Sequence, residues 1–159
     1  MRVRISPGAL AVLPAIAKAL GASVIGTASP DNHEWHRSLG AAALLDHTAG
    51  PVSAQLEGIG GKVDAVLDLV GGDALGDAPA QVKDPARVAS VIDAQTVLGF
   101  GGRDVFCRPD RDNLAELADL ADSGKLGVTV AETFTLDQVA DAHRFSEAGH
   151  PAGKVVVTI

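Results

Sequence analysis

The sequence has a single cysteine, Cys107, one tryptophan and no tyrosine, and aromatics make up 3% of its 159 residues. One cysteine excludes an intrachain disulfide and fits a reducing compartment, so a cytoplasmic location is expected. Nothing marks a base beside Cys107, which therefore reads as a buried spectator thiol rather than a reactive one. Positive charge is also in short supply: 13 Lys and Arg face 20 Asp and Glu, a net charge of −7. A nucleic acid needs a basic face to neutralise its phosphates, so that class of partner is not expected. No apolar run approaches the ~20 residues of a membrane span, and no long apolar core of a signal peptide opens the chain. His33, His36 and His47 are near one another in sequence but follow no metal-ligand spacing, so no metal site is expected. A Gly-x-Ser-x-Gly elbow is missing too, which leaves a hydrolase of that type without support.

What remains is rich in Ala, Val, Leu and Gly, the composition of an ordinary α/β protein. The length suits one domain, 1–159, able to bury about two thirds of its unfolded surface. Runs such as "VRI", "SVIG", "ALLDH", "AVLDLVGG" and "VASVID" are apolar on nearly every residue, as expected of strands buried on both faces of a parallel sheet. Helical patterns alternate with them and supply the crossovers. The pattern predicts a doubly wound α/β sheet in three layers. Gly21 and Gly40 each follow a helical stretch and suit a left-handed helix end. Further on, "VLGFGGRDVFCRPD" reads as one or two strands joined by a bend. "DNLAELADLADSGKL" reads as an amphipathic helix with Leu114, Leu117, Ala118 and Ala121 on one face. "TFTLDQVADAHRFSEAG" predicts another helix, capped by Thr135 or Asp137, and "GKVVVTI" a last strand.

Ligands of open parallel sheets collect at the carboxyl ends of the strands. That rule selects Ser6, Pro7 and Gly8 after the first strand, and Thr27, Ala28 and Ser29 after the second. It also selects Val70, Gly71 and Gly72 after the fourth, and Val91 to Asp93 after the fifth. Gly71 and Gly72 would let a ligand approach the backbone closely, or would only turn the chain. A dinucleotide fold that prefers NAD usually ends its second strand with an acid. Here Thr27, Ala28 and Ser29 stand there, with Asn32, His33 and Arg37 close behind, so a 2′-phosphate would be accepted and NADP(H) preferred. Asn32 and His33 equally suit a solvated first turn of a helix.

The ordered set "AKALGASVIGTAS", "HRSLGA", "VDAVLDLVGG", "DPARVASVID", "LAELADLADSGKL" and "FTLDQVADAHRFSEAGHPAGKVVVTI" resembles the medium-chain dehydrogenase/reductase superfamily. The likeness is greatest to its zinc-independent, quinone-oxidoreductase-like members. It implies a Rossmann-like coenzyme domain, with 129–159 as the family's C-terminal return segment. It also implies NADP(H) as cofactor and hydride transfer to a quinone or an α,β-unsaturated carbonyl. By position, Thr27 and Ser29 would lie near the adenosine ribose, with Asn32 where a phosphate-binding lysine often stands. Val70 and Gly71 would flank the nicotinamide ribose, and Ser90 to Ile92 would line the nicotinamide pocket. The catalytic residues stay unassigned. Dimerisation would pair edge strands in the "GFGGRDVFC" region.

Two departures from the family pattern temper this. Its turn, approximately Gly-Ala-x-Gly-Gly-Val-Gly, aligns with "RISPGAL", which keeps only Gly8; Arg4, Pro7 and Leu10 replace glycines, and proline removes an amide donor. The family's amino-terminal catalytic domain is not represented. The expectation is thus a weakened or partner-dependent oxidoreductase-like domain. Two alternatives stand beside it: a non-redox protein that binds a small hydrophobic ligand or catalyses a cofactor-free isomerisation or cyclisation, and a fragment of a longer gene.

Overall fold

A computed structural model describes residues 1–5, 12–148 and 152–159. The chain divides into two compact units, Met1–Leu126 and Gly127–Ile159. The first is built on a six-stranded sheet of β1 (Arg2–Ile5), β2 (Ser23–Thr27), β3 (Ala43–Leu45), β4 (Ala65–Asp68), β5 (Val88–Ser90) and β6 (Arg103–Asp104). The spatial order is β3-β2-β1-β4-β5-β6 and every pairing is parallel. This confirms the doubly wound sheet expected from the apolar runs.

Strand alternation explains the layers. Val3 and Ile5 of β1 join Val24 of β2 on one face, where Leu13 and Ala17 of α1 (Leu13–Ala19) cover them. On the other face Ile25, Val66 and Val88 meet Leu56 of α3 (Val52–Glu57) and Leu75 of α4 (Gly72–Gly76). Ala78 of α5 (Ala78–Gln81) and Val97 of α6 (Ala94–Gly99) complete that cluster. Burying each large aliphatic side chain contributes ~1.5–3 kcal/mol. The result is a three-layer, Rossmann-like α/β unit. A helix α2 (His33–Ser38) follows a 3-10 turn at Pro30–Asn32. Gly21 and Gly40 both have positive φ, +80° and +104°, as their places after helical stretches suggested.

Two readings of the later sequence are corrected, the strand at "VLG" and the burial of Cys107, whose thiol is exposed. The "VLG" of "VLGFGG" is helical, the end of α6, because the Asp93 carboxylate caps that helix by accepting the Thr96 N–H at 3.0 Å. Only Arg103 and Asp104 beyond it pair as a strand. The amphipathic helix α7 (Arg111–Asp122) forms, with Asp110 accepting the N–H groups of Asp112 and Asn113. Its Leu114 and Leu117 are exposed rather than packed.

In the second unit β7 (Val130–Thr135) and β8 (Lys154–Thr158) pair in parallel around α8 (Val139–Glu147). Phe134 and Phe145 pack with ring centroids 5.9 Å apart. Thr135, rather than Asp137, anchors the entry to this helical stretch: its N–H and hydroxyl both donate to Gln138 Oε1.

One ion pair ties the amino-terminal strand down. Asp64 accepts the Arg2 N–H and the Lys83 ammonium, each at 2.7 Å. Bonding to Lys83, then to the Arg2 amide, lowers the Asp64 pKa from its ordinary 3.8 to about 2. A depressed carboxylate pKa stabilises the fold above the unfolded value, and that contribution is lost as pH falls from 3.8 toward about 2. Asp64→Asn is expected to be less stable than the wild type at neutral pH and equal to it at the acid end. Denaturant titrations across this range test it; parallel curves at all pH values would contradict it.

Candidate functional site

The chain runs from β1 outward to β2 and β3, then returns to the opposite side of β1 with β4. The carboxyl ends of β1 and β4 therefore border the topological switch point, where such sheets take their ligands. On the β4 side the last strand residue, Asp68, is fully buried. Its Oδ2 accepts the Gly71 N–H at 3.0 Å and the Ser90 hydroxyl at 2.9 Å. Its Oδ1 accepts the Val70 N–H at 3.4 Å. Ser90 Oγ in turn accepts the N–H groups of Ile92 and Asp93, at 3.2 and 3.1 Å. One carboxylate and one hydroxyl thus set the loops that leave two neighbouring strands.

Gly71 is required by this geometry. Its φ of +75° with ψ of −160° is open essentially to glycine alone. A Cβ there would stand 3.3 Å from Ile92 Cγ2. The two loops meet at that point, with the Val70 and Ile92 side chains exposed on either side. Of the residues expected at the nicotinamide end, Val70, Gly71, Ser90 and Ile92 are therefore brought together. The Ser90 side chain itself is buried and holds the loop rather than facing outward.

At the other end, Thr27 is buried and its Oγ1 accepts from Arg4 Nη2 at 3.3 Å. Ser29 and Asn32 are linked, Asn32 Nδ2 donating to Ser29 Oγ at 3.1 Å. His33 Nε2 lies 3.0 Å from the Ala28 carbonyl oxygen, which requires a proton on Nε2. Burial, then the nearby His33, lowers the pKa of His36. Gly8 and the turn around it lie outside the described residues.

Three charged groups at this edge were not selected by sequence reasoning. Asp68 ends an apolar strand, and a buried acid in that position was a legible signal of a structured turn. Arg4 is 1% exposed and belongs to β1, paired with Ile25 and Val66, rather than to the turn. Asp46 follows β3, whose end is tied to β2 by the Ala28 N–H donating to the Leu45 carbonyl. It brings a carboxylate beside the end of β2, a strand that does not itself end in an acid. Hydrogen bonds from the Thr48 hydroxyl and amide hold its pKa low. Among the described residues no group of three or more His, Cys, Asp or Glu is placed to hold a metal ion. Nor, among them, is any helix long and apolar enough to cross a membrane.

A parallel sheet in this order, with helices on both faces, defines a three-layer, Rossmann-like α/β protein. Residues 39–157 match the family model described as zinc-binding dehydrogenase. The chain belongs to that family, as a quinone-oxidoreductase-like member of the medium-chain dehydrogenase/reductase superfamily. It is 31% identical over 171 residues to the NAD(P)H oxidoreductase RTN4IP1, mitochondrial, of Danio rerio, across 89% of this chain and 44% of that protein. It is 34% identical over 140 residues to the NADPH-dependent alkenal/one oxidoreductase, chloroplastic, of Arabidopsis thaliana, across 86% of this chain and 34% of that one. Among solved structures, the quinone oxidoreductase from Coxiella burnetii superposes with a TM-score of 0.87 at 28% identity. That superposition covers 99% of this chain and 52% of the other. The chain spans less than half the length of these two curated relatives.

Proposed function

We propose that this chain binds a nicotinamide dinucleotide, NADP(H) in preference to NAD(H), along the carboxyl ends of β2, β1, β4 and β5. It serves as the coenzyme unit of an oxidoreductase acting on a quinone or an α,β-unsaturated carbonyl. The observation that carries the reading is the Asp68–Gly71–Ser90 arrangement at the switch point, which shapes a side-chain-free turn where a ligand would lie against backbone. The names of the relatives agree with it.

Thr27 and Ser29 would lie near the adenosine ribose, with Asn32 toward its 2′-phosphate. Val70 and Gly71 would flank the nicotinamide ribose, and Ser90 to Ile92 its ring. At the Gly71 end the missing Cβ lets this turn and the loop at Ile92 lie close together, since a Cβ would stand 3.3 Å from Ile92 Cγ2. The fit is mixed at the adenosine end, where Asn32 favours a phosphate and the nearby Asp46 opposes one. When bound, the reduced nicotinamide supplies a hydride to an electron-poor atom of the acceptor. The protein's part is orientation: Asp68 and Ser90 fix the loops, and the exposed apolar Val70 and Ile92 keep water from the reacting face. No metal enters the proposed chemistry. Turnover is weak or depends on a partner that supplies the other wall of the cleft. The protein acts in the cytoplasm as a dimer joined through the exposed edge strand β6, which sedimentation would report directly.

Titration with NADPH and with NADH, followed by nicotinamide emission and by quenching of the single tryptophan, Trp35, tests the reading. NADPH is expected to bind about tenfold or more tightly than NADH, a difference of ~1.4 kcal/mol. Binding of neither at millimolar concentration would overturn the proposal and favour a cofactor-free ligand.

A further inference from the structure

Arg4 places a charge inside the sheet, on the face that carries the larger apolar cluster. Its partners across the sheet are Ile25 on β2 and Val66 on β4, both members of that cluster. Side chains two residues apart on a strand share a face. Thr27 and Asp68, two residues beyond Ile25 and Val66, therefore stand on the Arg4 face, one on either side of it. Arg4 is 1% exposed, and its Nη2 donates to Thr27 Oγ1 at 3.3 Å. Asp68 faces the guanidinium from β4, and Asp77 faces it from the junction of α4 and α5.

Both carboxylates act as acceptors. Asp68 takes the Val70 and Gly71 amides and the Ser90 hydroxyl. Asp77 takes the Ser53 amide and hydroxyl and Gln81 Nε2. A protonated carboxyl becomes a donor and loses part of its acceptor capacity, so the pattern at Asp68 requires the ionised form. Asp68 is 0% exposed, and burial beside a second carboxylate disfavours that form. Arg4 supplies the opposing charge. Burial lowers its pKa from 12.5 to about 10, against the pull of Asp68 and then Asp77, and the group stays a cation at neutral pH.

We propose that Arg4 is a positioning residue of the candidate site, acting through Asp68 and Thr27. Its charge keeps Asp68 an acceptor for the loops that leave β4 and β5, and its bond to Thr27 fixes the end of β2. The inference rests on the dinucleotide-binding reading of those loops and adds a residue to it. Without the cation, Asp68 in the folded protein holds a proton that the unfolded chain has lost. A carboxyl pKa raised by folding gives stability that is present at low pH and lost as pH rises.

Urea unfolding of the wild type, Arg4→Met and Arg4→Lys between about pH 5 and about pH 8 tests this. The gap in midpoint between wild type and Arg4→Met is expected to widen as pH rises. For Arg4→Lys, which keeps the charge, the gap is expected to stay constant. A constant gap for Arg4→Met is what loss of packing alone gives, and it overturns the proposal. If Arg4→Met does not fold, the carboxyl carbon resonance of Asp68 in the wild type decides. It is expected to stay unchanged across that range, and a titration step there overturns the proposal. NADPH affinity is expected to fall about 10- to 100-fold in Arg4→Met, the equivalent of one hydrogen bond to a charged group, and less in Arg4→Lys. Undiminished NADPH binding by Arg4→Met would overturn the positioning role and leave the dinucleotide reading intact. Failure of the wild type to bind NADPH would sink the dinucleotide reading alone, because the pH-dependent gap is read without ligand.

Discussion

Asp68→Ala is expected to lower the unfolding free energy by about 3–5 kcal/mol, the range for removing one member of a buried charged network. The carboxylate is 0% exposed and accepts the Gly71 and Val70 amides and the Ser90 hydroxyl. Alanine leaves those donors facing apolar surroundings. It also withdraws one of the two carboxylates that offset the Arg4 charge. Binding should suffer with stability, since the φ of +75° at Gly71 is held partly by the bond its amide makes to Asp68. Asp68→Asn keeps the volume and loses the charge, so a smaller loss of ~1–3 kcal/mol is expected. Urea unfolding of the three proteins measures both steps. A midpoint for Asp68→Ala near that of the wild type would mean the network does not hold the loops.

Leu75→Ala is expected to cost about 2–5 kcal/mol, as for a large-to-small change in a closed core. Leu75 is fully buried in the larger apolar cluster, together with Val66, Val88 and Val97. It sits on α4, a helix of only five residues. A helix that short has no stability of its own and depends on what it packs against. Losing Leu75 would release the turn at Gly71 and Gly72 from the sheet. The same urea series should show the loss, and a change below ~1 kcal/mol would mean the site had collapsed around the smaller side chain.

The sheet and its crossovers were legible because parallel strands buried on both faces leave continuous apolar runs, as in "AVLDLV" around β4. The glycines at 21 and 40 were legible because the left-handed residue that ends a helix is usually glycine. Val97 to Gly99 misled because a short apolar run followed by glycines suits a strand as well as a helix. Only the capping bond from Asp93, three residues ahead of Thr96, separates the two. The amphipathic spacing of α7 was legible as a helix, and whether anything covers its apolar face was not, because spacing alone carries no information about the packing partner.

At the candidate site the divide is sharper. Val70 and Gly71 could be found from strand ends alone. Asp46 could not, because its place beside Ala28 depends on β3 lying next to β2. The commitment of the Thr27 and Ser90 hydroxyls to internal partners was equally hidden. Arg4 is the clearest case: the sequence shows a charged residue in a short apolar strand, and only packing reveals that it is buried there with its Nη2 donating to Thr27.

The central claim is that a dinucleotide lies across the carboxyl ends of this sheet. A backbone amide map by heteronuclear NMR during an NADPH titration tests it most directly. Expected is a set of shifted amides at Ser29, Asn32, Val70, Gly71 and Ile92, with those of α3 and α7 unmoved. No shifts at millimolar NADPH, or shifts confined to surfaces away from these strand ends, would contradict it.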